Sequence, residues 1–319
     1  MTAQVAQAFD RWQVEGAQGE ATLKMGDGTA LHLRVACPPG VARTVLLLLH
    51  GAGMHSGYYQ TVGCLLASRG HLVLMPDQRG HGKSEGARGD IAHHGVYCED
   101  IAWMLLRVKT LGLPVVLAAH SGAAAMSARV LAEVAAPQVA GFAMLTPTFA
   151  DDGTLVRRNS GGRDYGTYFR YMLRPAPEAE VKGRAPGSRM VFRLGAFLFH
   201  RMTGLCGTAP VLTYQSSGKN EAPYTYTARG VRGSMVGRVD LLLARLRCPV
   251  FLATGGQDGF VNSDAVRTLL PWLIAPQASL QALHEAGGDH FTTLLLSAQA
   301  LLKWLDTLVL ESAQRQESI

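Results

Sequence analysis

Long hydrophobic runs are missing from this 319-residue chain: the apolar stretches Val45 to Leu49 and Val115 to Ala119 fall far below the roughly 18 residues of a membrane-spanning helix. No segment is expected to cross a bilayer. Cysteine is sparse and odd in number, with Cys37, Cys64, Cys98, Cys206 and Cys248 scattered outside any C-x-x-C pair. A disulfide framework, a zinc site or any other resident metal or cofactor is therefore not expected, and Cys64 and Cys98 read as small, inert side chains in helices. Charged residues make up 17% and aromatics 7% against 48% apolar, which excludes a fibre or a disordered tail and suits a globular enzyme. A continuous apolar leader is absent too, because Asp10, Arg11 and Glu15 interrupt Met1 to Gly16, and the expected location is the cytoplasm.

Acid is scarce where base is plentiful. Between Asp151 and Val236 stand 13 Arg and Lys residues against 6 Asp and Glu, a surplus that exceeds the formal net charge of +6 for the whole chain. Such a segment suits anionic lipid, a carboxylate-bearing substrate, nucleic acid or plain water, and charge alone does not choose among them.

Alternating polarity from Ala21 to Met25 and from Ala30 to Ala36, around Gly26-Asp27-Gly28, predicts an antiparallel hairpin. Six short apolar runs follow: Thr44 to Leu49, His71 to Met75, Val115 to Ala119, Gly141 to Leu145, Val250 to Ala253 and Ser279 to Leu283. They read as strands buried on both faces, hence a mostly parallel sheet of eight strands. Between them, Ile101, Met104, Leu105 and Val108 fall at i, i+3, i+4 and i+7 on one helix face. The alternation predicts an α/β layer with helices on both faces. The rhythm stops at Pro147 and resumes after about Val236, so residues 147–236 are expected to be an inserted cap and residues 1–146 with 237–319 the core. Within that insert, Arg189 to Leu205 is the clearest helical pattern.

The chemistry gathers at strand ends. Val115 to Ala119 runs into His120-Ser121-Gly122-Ala123 and then an Ala-rich helix, a strand-turn-helix elbow that presents a hydroxyl at the carboxyl edge of the sheet. Ala119 and Ala123 stand where the usual G-x-S-x-G pattern has glycine, so the turn is sterically feasible but the motif is weakened, and an ordinary N-cap serine is the competing reading. His50-Gly51-Ala52-Gly53 ends another strand and offers backbone amides, with Ala52 and Gly122 as the expected oxyanion donors. Asp258 follows the strand at Val250, and His290 follows the last strand and precedes a helix expected from Phe291 to Leu310. The order Ser121, Asp258, His290 is that of a serine hydrolase triad. His284 competes with His290 as base but is placed at a strand end, and Asp289 is expected to point elsewhere. His50, Asp77, Arg79 and His81 are read as braces for the oxyanion loop, and His120 as a packing residue beneath the pocket.

His50-Gly51-Ala52-Gly53-Met54-His55-Ser56-Gly57-Tyr58-Tyr59 and Asp77-Gln78-Arg79-Gly80-His81-Gly82-Lys83-Ser84-Glu85-Gly86 resemble the oxyanion-loop and post-strand motifs of α/β-hydrolases of the monoacylglycerol lipase type, also described as lysophospholipases and serine-aminopeptidase-like hydrolases. The elbow departs from that family's Gly-His-Ser-Met-Gly-Gly, with Ala119, Gly122, Ala123 and Ala124 around His120 and Ser121. The resemblance implies an α/β-hydrolase fold with an inserted cap and an esterase or lipase that acts on a small-molecule or lipid ester through an acyl-enzyme. Nucleic acid is not an expected partner, and contact with an anionic membrane is left open. A serine acyltransferase or a non-catalytic ligand-binding protein on the same fold are the alternatives, whereas a dehalogenase or epoxide hydrolase needs a carboxylate in place of Ser121. A peptidase for free amino termini calls for an acidic cap, and this one is basic. Met54, Phe197 and Phe199 are the expected substrate contacts, and Gly122, which has no side chain, is expected to widen the acyl site.

Overall fold

A computed structural model describes residues 18–133, 138–149, 190–214, 224–258 and 260–317. Strands β1 (Gln18–Lys24) and β2 (Ala30–Ala36) form the expected hairpin, closed between Met25 and Thr29, with Gly28 at φ +86° supplying the left-handed turn position. Then come β3 (Thr44–Leu49), α1 (Gln60–Ala67), β4 (His71–Pro76), α2 (Val96–Lys109), β5 (Val115–His120), α3 (Gly122–Ala132) and β6 (Gly141–Leu145). Further along lie β7 (Met190–Phe192), α4 (Leu194–Thr203), β8 (Pro210–Tyr214), β9 (Tyr224–Thr227), α5 (Ala228–Ser234) and α6 (Val239–Leu243). The chain closes with β10 (Val250–Gly255), α7 (Ser263–Leu273), β11 (Leu280–Glu285), α8 (Thr292–Leu296) and α9 (Ala298–Glu317).

The main sheet has eight strands in the order β1-β2-β4-β3-β5-β6-β10-β11, antiparallel at β1-β2-β4 and parallel from β4 onward. This is the α/β-hydrolase fold. Every residue of β3, β4, β5, β6 and β10 is buried, as strands covered on both faces require. The two-residue alternation divides them between two cores: Val45, Leu47, Leu49 and Leu117 pack toward α2, α3, α6 and α7, and Leu46, Leu48, Val116 and Ala118 toward α1 and α9. On α2 the expected stripe Ile101, Met104, Leu105 and Val108 is fully buried. The chain moves from β3 to β4 on one side and then back across to β5 on the other. Loops after β3 and β5 therefore flank a topological switch point, where α/β sheets bind ligands.

Between β6 and β10, the described residues form a second, antiparallel sheet in the order β7-β8-β9, packed with α4 and α5 around Phe197, Val211, Leu212, Tyr226 and Val231. Most of the basic residues of this stretch, Arg157 through Arg189 and Lys219, lie outside the described residues. Two expectations about local structure are corrected. The pattern from Arg189 to Leu205 is not one helix, because Met190–Phe192 pair with β8 before α4 begins. The helix expected from Phe291 to Leu310 is broken after Leu296, where buried Ser297 turns its hydroxyl back onto the Leu294 carbonyl.

Phe142, the second residue of β6 and 0% exposed, joins the main-sheet core between β5 and β10. Phe142→Ala should lower unfolding free energy by about 3–5 kcal/mol in urea titration, the usual loss for truncating a buried aromatic.

Candidate active site

Ser121 sits between β5 and α3 at φ 55°, ψ −128°, a conformation that L residues rarely adopt. The strain is held by packing: Ala119 and Ala123 on either side are 0% and 1% exposed, so a larger residue at either position has no room. Backbone bonds hold it as well, the Ser121 amide donating to the Leu145 carbonyl at 3.0 Å. The elbow thus forms with alanines in place of glycines.

Three strand-end loops then meet. His290 Nε2 lies 2.9 Å from Ser121 Oγ, and His290 Nδ1 lies 2.8 Å from Asp258 Oδ2. Both side chains are almost wholly shielded, His290 at 6% and Asp258 at 0% exposure. The second carboxylate oxygen, Asp258 Oδ1, accepts from the Phe260 and Val261 amides at 2.8 and 2.9 Å, which fixes the carboxylate plane. With Nδ1–H given to Asp258, Nε2 is left as an acceptor for the Ser121 hydroxyl proton. The competitors fall away: His284 bonds Thr254 Oγ1 at 3.1 Å in β11, and Asp289 turns to the Phe291 and Thr292 amides. Burial raises the Asp289 pKa, but those amides outweigh it and hold the carboxyl below its ordinary range.

The loop after β3 is tethered on both sides of Ala52. The Gly51 amide donates to the Tyr59 hydroxyl and the Gly53 amide to the Tyr226 hydroxyl, each at 2.8 Å, while His50 Nδ1–H donates to the Gly51 carbonyl at 2.8 Å. Ala52 stands between them, and among the described residues neither its amide nor that of Gly122 has an acceptor. Glycine at 51 is dictated by proximity, since a Cβ there would meet His120 Nδ1 at 2.8 Å and Ser121 Cβ at 3.0 Å. Gly53 takes φ +69°. A side chain at Gly122, by contrast, would enter open space.

His120 does more than pack. Its Nε2–H donates to the His290 carbonyl at 2.9 Å, and its Nδ1 accepts from the Tyr59 hydroxyl at 2.6 Å, so a buried chain of bonds joins Gly51 to the backbone of His290. Desolvation, followed by the charge of His290, holds the His120 pKa well below its ordinary value. A parallel chain uses the second sheet: Tyr226 donates to His81 Nε2 at 2.6 Å, and His81 Nδ1–H donates to the Arg79 carbonyl at 2.9 Å. His50, through its acceptor Nε2, takes the Gln78 amide at 2.8 Å. Of the four expected braces, His50 and His81 fit. Asp77 holds the Ser56 amide at 2.6 Å, just beyond the loop, and Arg79 is a correction: its fork binds Asp100 on α2 and Asp27 in the first hairpin.

A cavity of about 900 Å³ opens above Ser121, lined by Ala52, Met54, Gly122, Tyr214, Phe260 and His290 among others. Met54 is where the sequence suggested. Phe197 and Phe199 are not: α4 turns Phe197 into the small core beneath the second sheet at 4% exposure and Phe199 outward at 48%. Tyr59, Tyr226 and Thr148 were not singled out, although Thr148 Oγ1 lies 3.1 Å from Ser121 Oγ. Among the described residues, no group of three or more His, Cys, Asp or Glu side chains could hold a metal ion, the cysteines are free thiols, and no helix is long and apolar enough to cross a membrane.

Burial gives the site a pH signature. Desolvation lowers the pKa of His50 to about 4, of His81 to about 3 and of His71, at the start of β4 away from the site, to about 4. Each is lower folded than unfolded, so between the ordinary value near 6.5 and about 4 the unfolded chain binds protons that the folded chain refuses, and stability rises with pH. That contribution should be intact above about pH 7 and progressively lost as pH falls from about 6.5 toward 4. Urea midpoints measured at pH 7.5, 6 and 5 should decrease steadily, and a flat series would contradict buried neutral histidines.

Residues 40–185, less than half of the chain, match the family model described as serine aminopeptidase, S33. Human monoglyceride lipase is 35% identical over 112 residues, which span 34% of this chain and 36% of that protein. Phospholipase YtpA of Bacillus subtilis is 27% identical over 103 residues, 32% of this chain and 40% of its own. The matched segment thus spans well under two thirds of these curated relatives. Among solved structures, ferulic acid-bound Est1E from Butyrivibrio proteoclasticus superposes with TM-score 0.60 at 17% identity, covering 89% of this chain and 97% of its own. A lipase in its open form gives TM-score 0.59 at 19% identity, with 92% and 99% covered. At such identities these structures speak for the fold alone.

Proposed function

We propose that this α/β-hydrolase, similar to the S33 family model over residues 40–185 and to monoglyceride lipase over about a third of its length, is a serine carboxylic-ester hydrolase that works through an acyl-enzyme on Ser121. The observation that carries the reading is the continuous hydrogen-bonded line from Ser121 Oγ through His290 to Asp258, at 2.9 and 2.8 Å, beside a cavity that Ala52 and Gly122 also line. His290 Nε2 takes the Ser121 proton as Oγ attacks the ester carbonyl, Asp258 holds the tautomer and stabilises the imidazolium, and the Ala52 and Gly122 amides receive the oxyanion. His290 then protonates the departing alcohol. Water enters, gives a proton to His290 and releases the acid. The residues 147–236 act as a cap whose Tyr226 sets the oxyanion loop, and the open space at Gly122 leaves room for a bulky acyl group.

Ser121→Ala should retain the wild-type melting temperature while losing labelling by a fluorophosphonate and all but a trace of ester hydrolysis. His290→Ala should be about as severe, since triad members act as a unit, and Asp258→Asn less so. A folded Ser121→Ala protein that still hydrolyses p-nitrophenyl esters removes the assignment, whereas labelling without hydrolysis of any ester points to acyl transfer.

The substrate reading leans toward lipid esters for a reason in the second sheet. Leu198, Phe199, Met202 and Leu205 are 43%, 48%, 84% and 62% exposed on and just beyond α4, in a segment with surplus positive charge. An apolar face flanked by cations suits an anionic lipid surface. Met202→Asp with Phe199→Asp should reduce co-sedimentation with phosphatidylserine vesicles and activity on long-chain monoacylglycerol in them, while leaving p-nitrophenyl acetate turnover unchanged. Equal losses on both substrates would count against a surface role.

A further inference from the structure

We propose that Thr148 is a further catalytic residue: its hydroxyl donates to Ser121 Oγ and makes that oxygen a better leaving group when the acyl-enzyme breaks down. The inference rests on the acyl-enzyme reading of Ser121 and adds a partner for its second step.

Proton counting fixes the direction of the bond. His290 Nδ1–H donates to Asp258, so Nε2 accepts and the single Ser121 hydroxyl proton is committed to it. The 3.1 Å contact between Ser121 Oγ and Thr148 Oγ1 can then be made only by the Thr148 proton. Its backbone is anchored for the purpose. Thr146 leaves β6 at φ 42° with its amide on the Ala253 carbonyl, Pro147 follows, and the Thr148 amide donates to the Ser121 carbonyl at 3.2 Å. Backbone and side chain of Thr148 therefore both address Ser121, and Thr148 borders the cavity.

Position in the sheet separates this donor from the oxyanion amides. The Ala52 loop follows β3 on one side of β5, while Thr148 follows β6 on the other side, toward the strands that bring Asp258 and His290. Thr148 thus addresses the nucleophilic oxygen and not the carbonyl oxygen. Such a hydrogen bond occupies a lone pair of Oγ. It weakens Oγ slightly as an attacking atom and stabilises it as a departing one, and an alcohol oxygen accepts it better than the ester oxygen of the acyl-enzyme. Free Ser121 is favoured over acyl-Ser121.

The step it assists balances without any added reactant. Water oxygen bonds to the acyl carbon as its proton passes to His290 Nε2; the oxyanion then re-forms the carbonyl, the carbon–Oγ bond breaks, and its electron pair stays on Oγ, which takes the proton back from His290. Thr148 keeps its own proton throughout and supplies one hydrogen bond, an effect of about 3- to 10-fold for a neutral donor.

The test is pre-steady-state turnover of a p-nitrophenyl ester by wild type, Thr148→Val and Thr148→Ser, with the acyl-enzyme followed by intact-mass spectrometry. Thr148→Val, which keeps the shape and the backbone bond, should slow deacylation about 3- to 10-fold without slowing acylation, so that acyl-Ser121 accumulates. Thr148→Ser should restore the wild-type balance. Equal slowing of both steps, selective slowing of acylation, or no change in either overturns the proposal. If Thr148→Val does not fold, Thr148→Ala carries the same comparison. A wild-type enzyme that turns over ester without an acyl group on Ser121 overturns the acyl-enzyme reading as well, so the two failures are distinguishable.

Discussion

Tyr59 accepts the Gly51 amide and donates to His120, and His120 donates to the carbonyl of His290. This chain joins the segments that follow β3, β5 and β11, and its two linking side chains, Tyr59 and His120, are 1% and 0% exposed. It works only while His120 is neutral, because a protonated ring would present two donors and could no longer accept the Tyr59 proton. Burial guarantees neutrality by holding its pKa well below the ordinary range. The same low-dielectric surroundings that make the bonds strong would make any broken one expensive, so the chain behaves as a single unit.

The strain at Ser121 becomes tolerable in that setting. Its left-handed φ would be costly in a free loop, but the elbow is clamped from beneath by His120, from the side by the Leu145 carbonyl and from the next loop by the Thr148 amide. Gly51 completes the clamp by omission, since any Cβ there would push His120 and Ser121 apart. Alanines at 119 and 123 suffice because the neighbouring helix and strand approach no closer than a methyl group demands. The departure from paired glycines leaves a turn tightly packed at Ala119 and Ala123 and open at Gly122.

Strand and helix positions were legible from the sequence because each depends on a local period: the buried runs of β3 and β5, or the stripe of α2 from Ile101 to Val108, carry their own signal. The site residues Ser121, Asp258 and His290 were legible because all three follow strands of one parallel sheet, whose carboxyl ends share an edge. What escaped had no such local mark. Tyr226 lies 173 residues from the glycine it holds, and Thr148 is one hydroxyl in a loop after β6, so neither can be separated from ordinary residues before the fold brings it to its partner. Arg79 misled for the opposite reason. It sits in a motif beside true braces, yet its long side chain reaches past them to Asp100 and Asp27. Ser297 likewise gave no warning, because a serine inside an apolar helical pattern breaks it only if its hydroxyl returns to the backbone.

The tie through Tyr226 joins the second sheet to the loop after β3. A lid that merely covers a cavity can be altered or opened without touching the chemistry beneath. Here the hydroxyl of Tyr226 on β9 accepts the Gly53 amide and donates to His81, tying the His81 network to the same loop. Tyr224, its neighbour on β9, donates to the Gly80 carbonyl and accepts the Gly89 amide, so β9 is stitched to the post-β4 loop as well. Moving β9 would release Gly53, and with it the restraint on one side of Ala52. In the proposed mechanism the Ala52 amide contributes only if it points at the oxyanion before the reaction begins, so any displacement of β9 would weaken transition-state stabilisation even with Ser121, His290 and Asp258 undisturbed. That mechanism thereby couples the position of β9 to oxyanion stabilisation through one tyrosine hydroxyl.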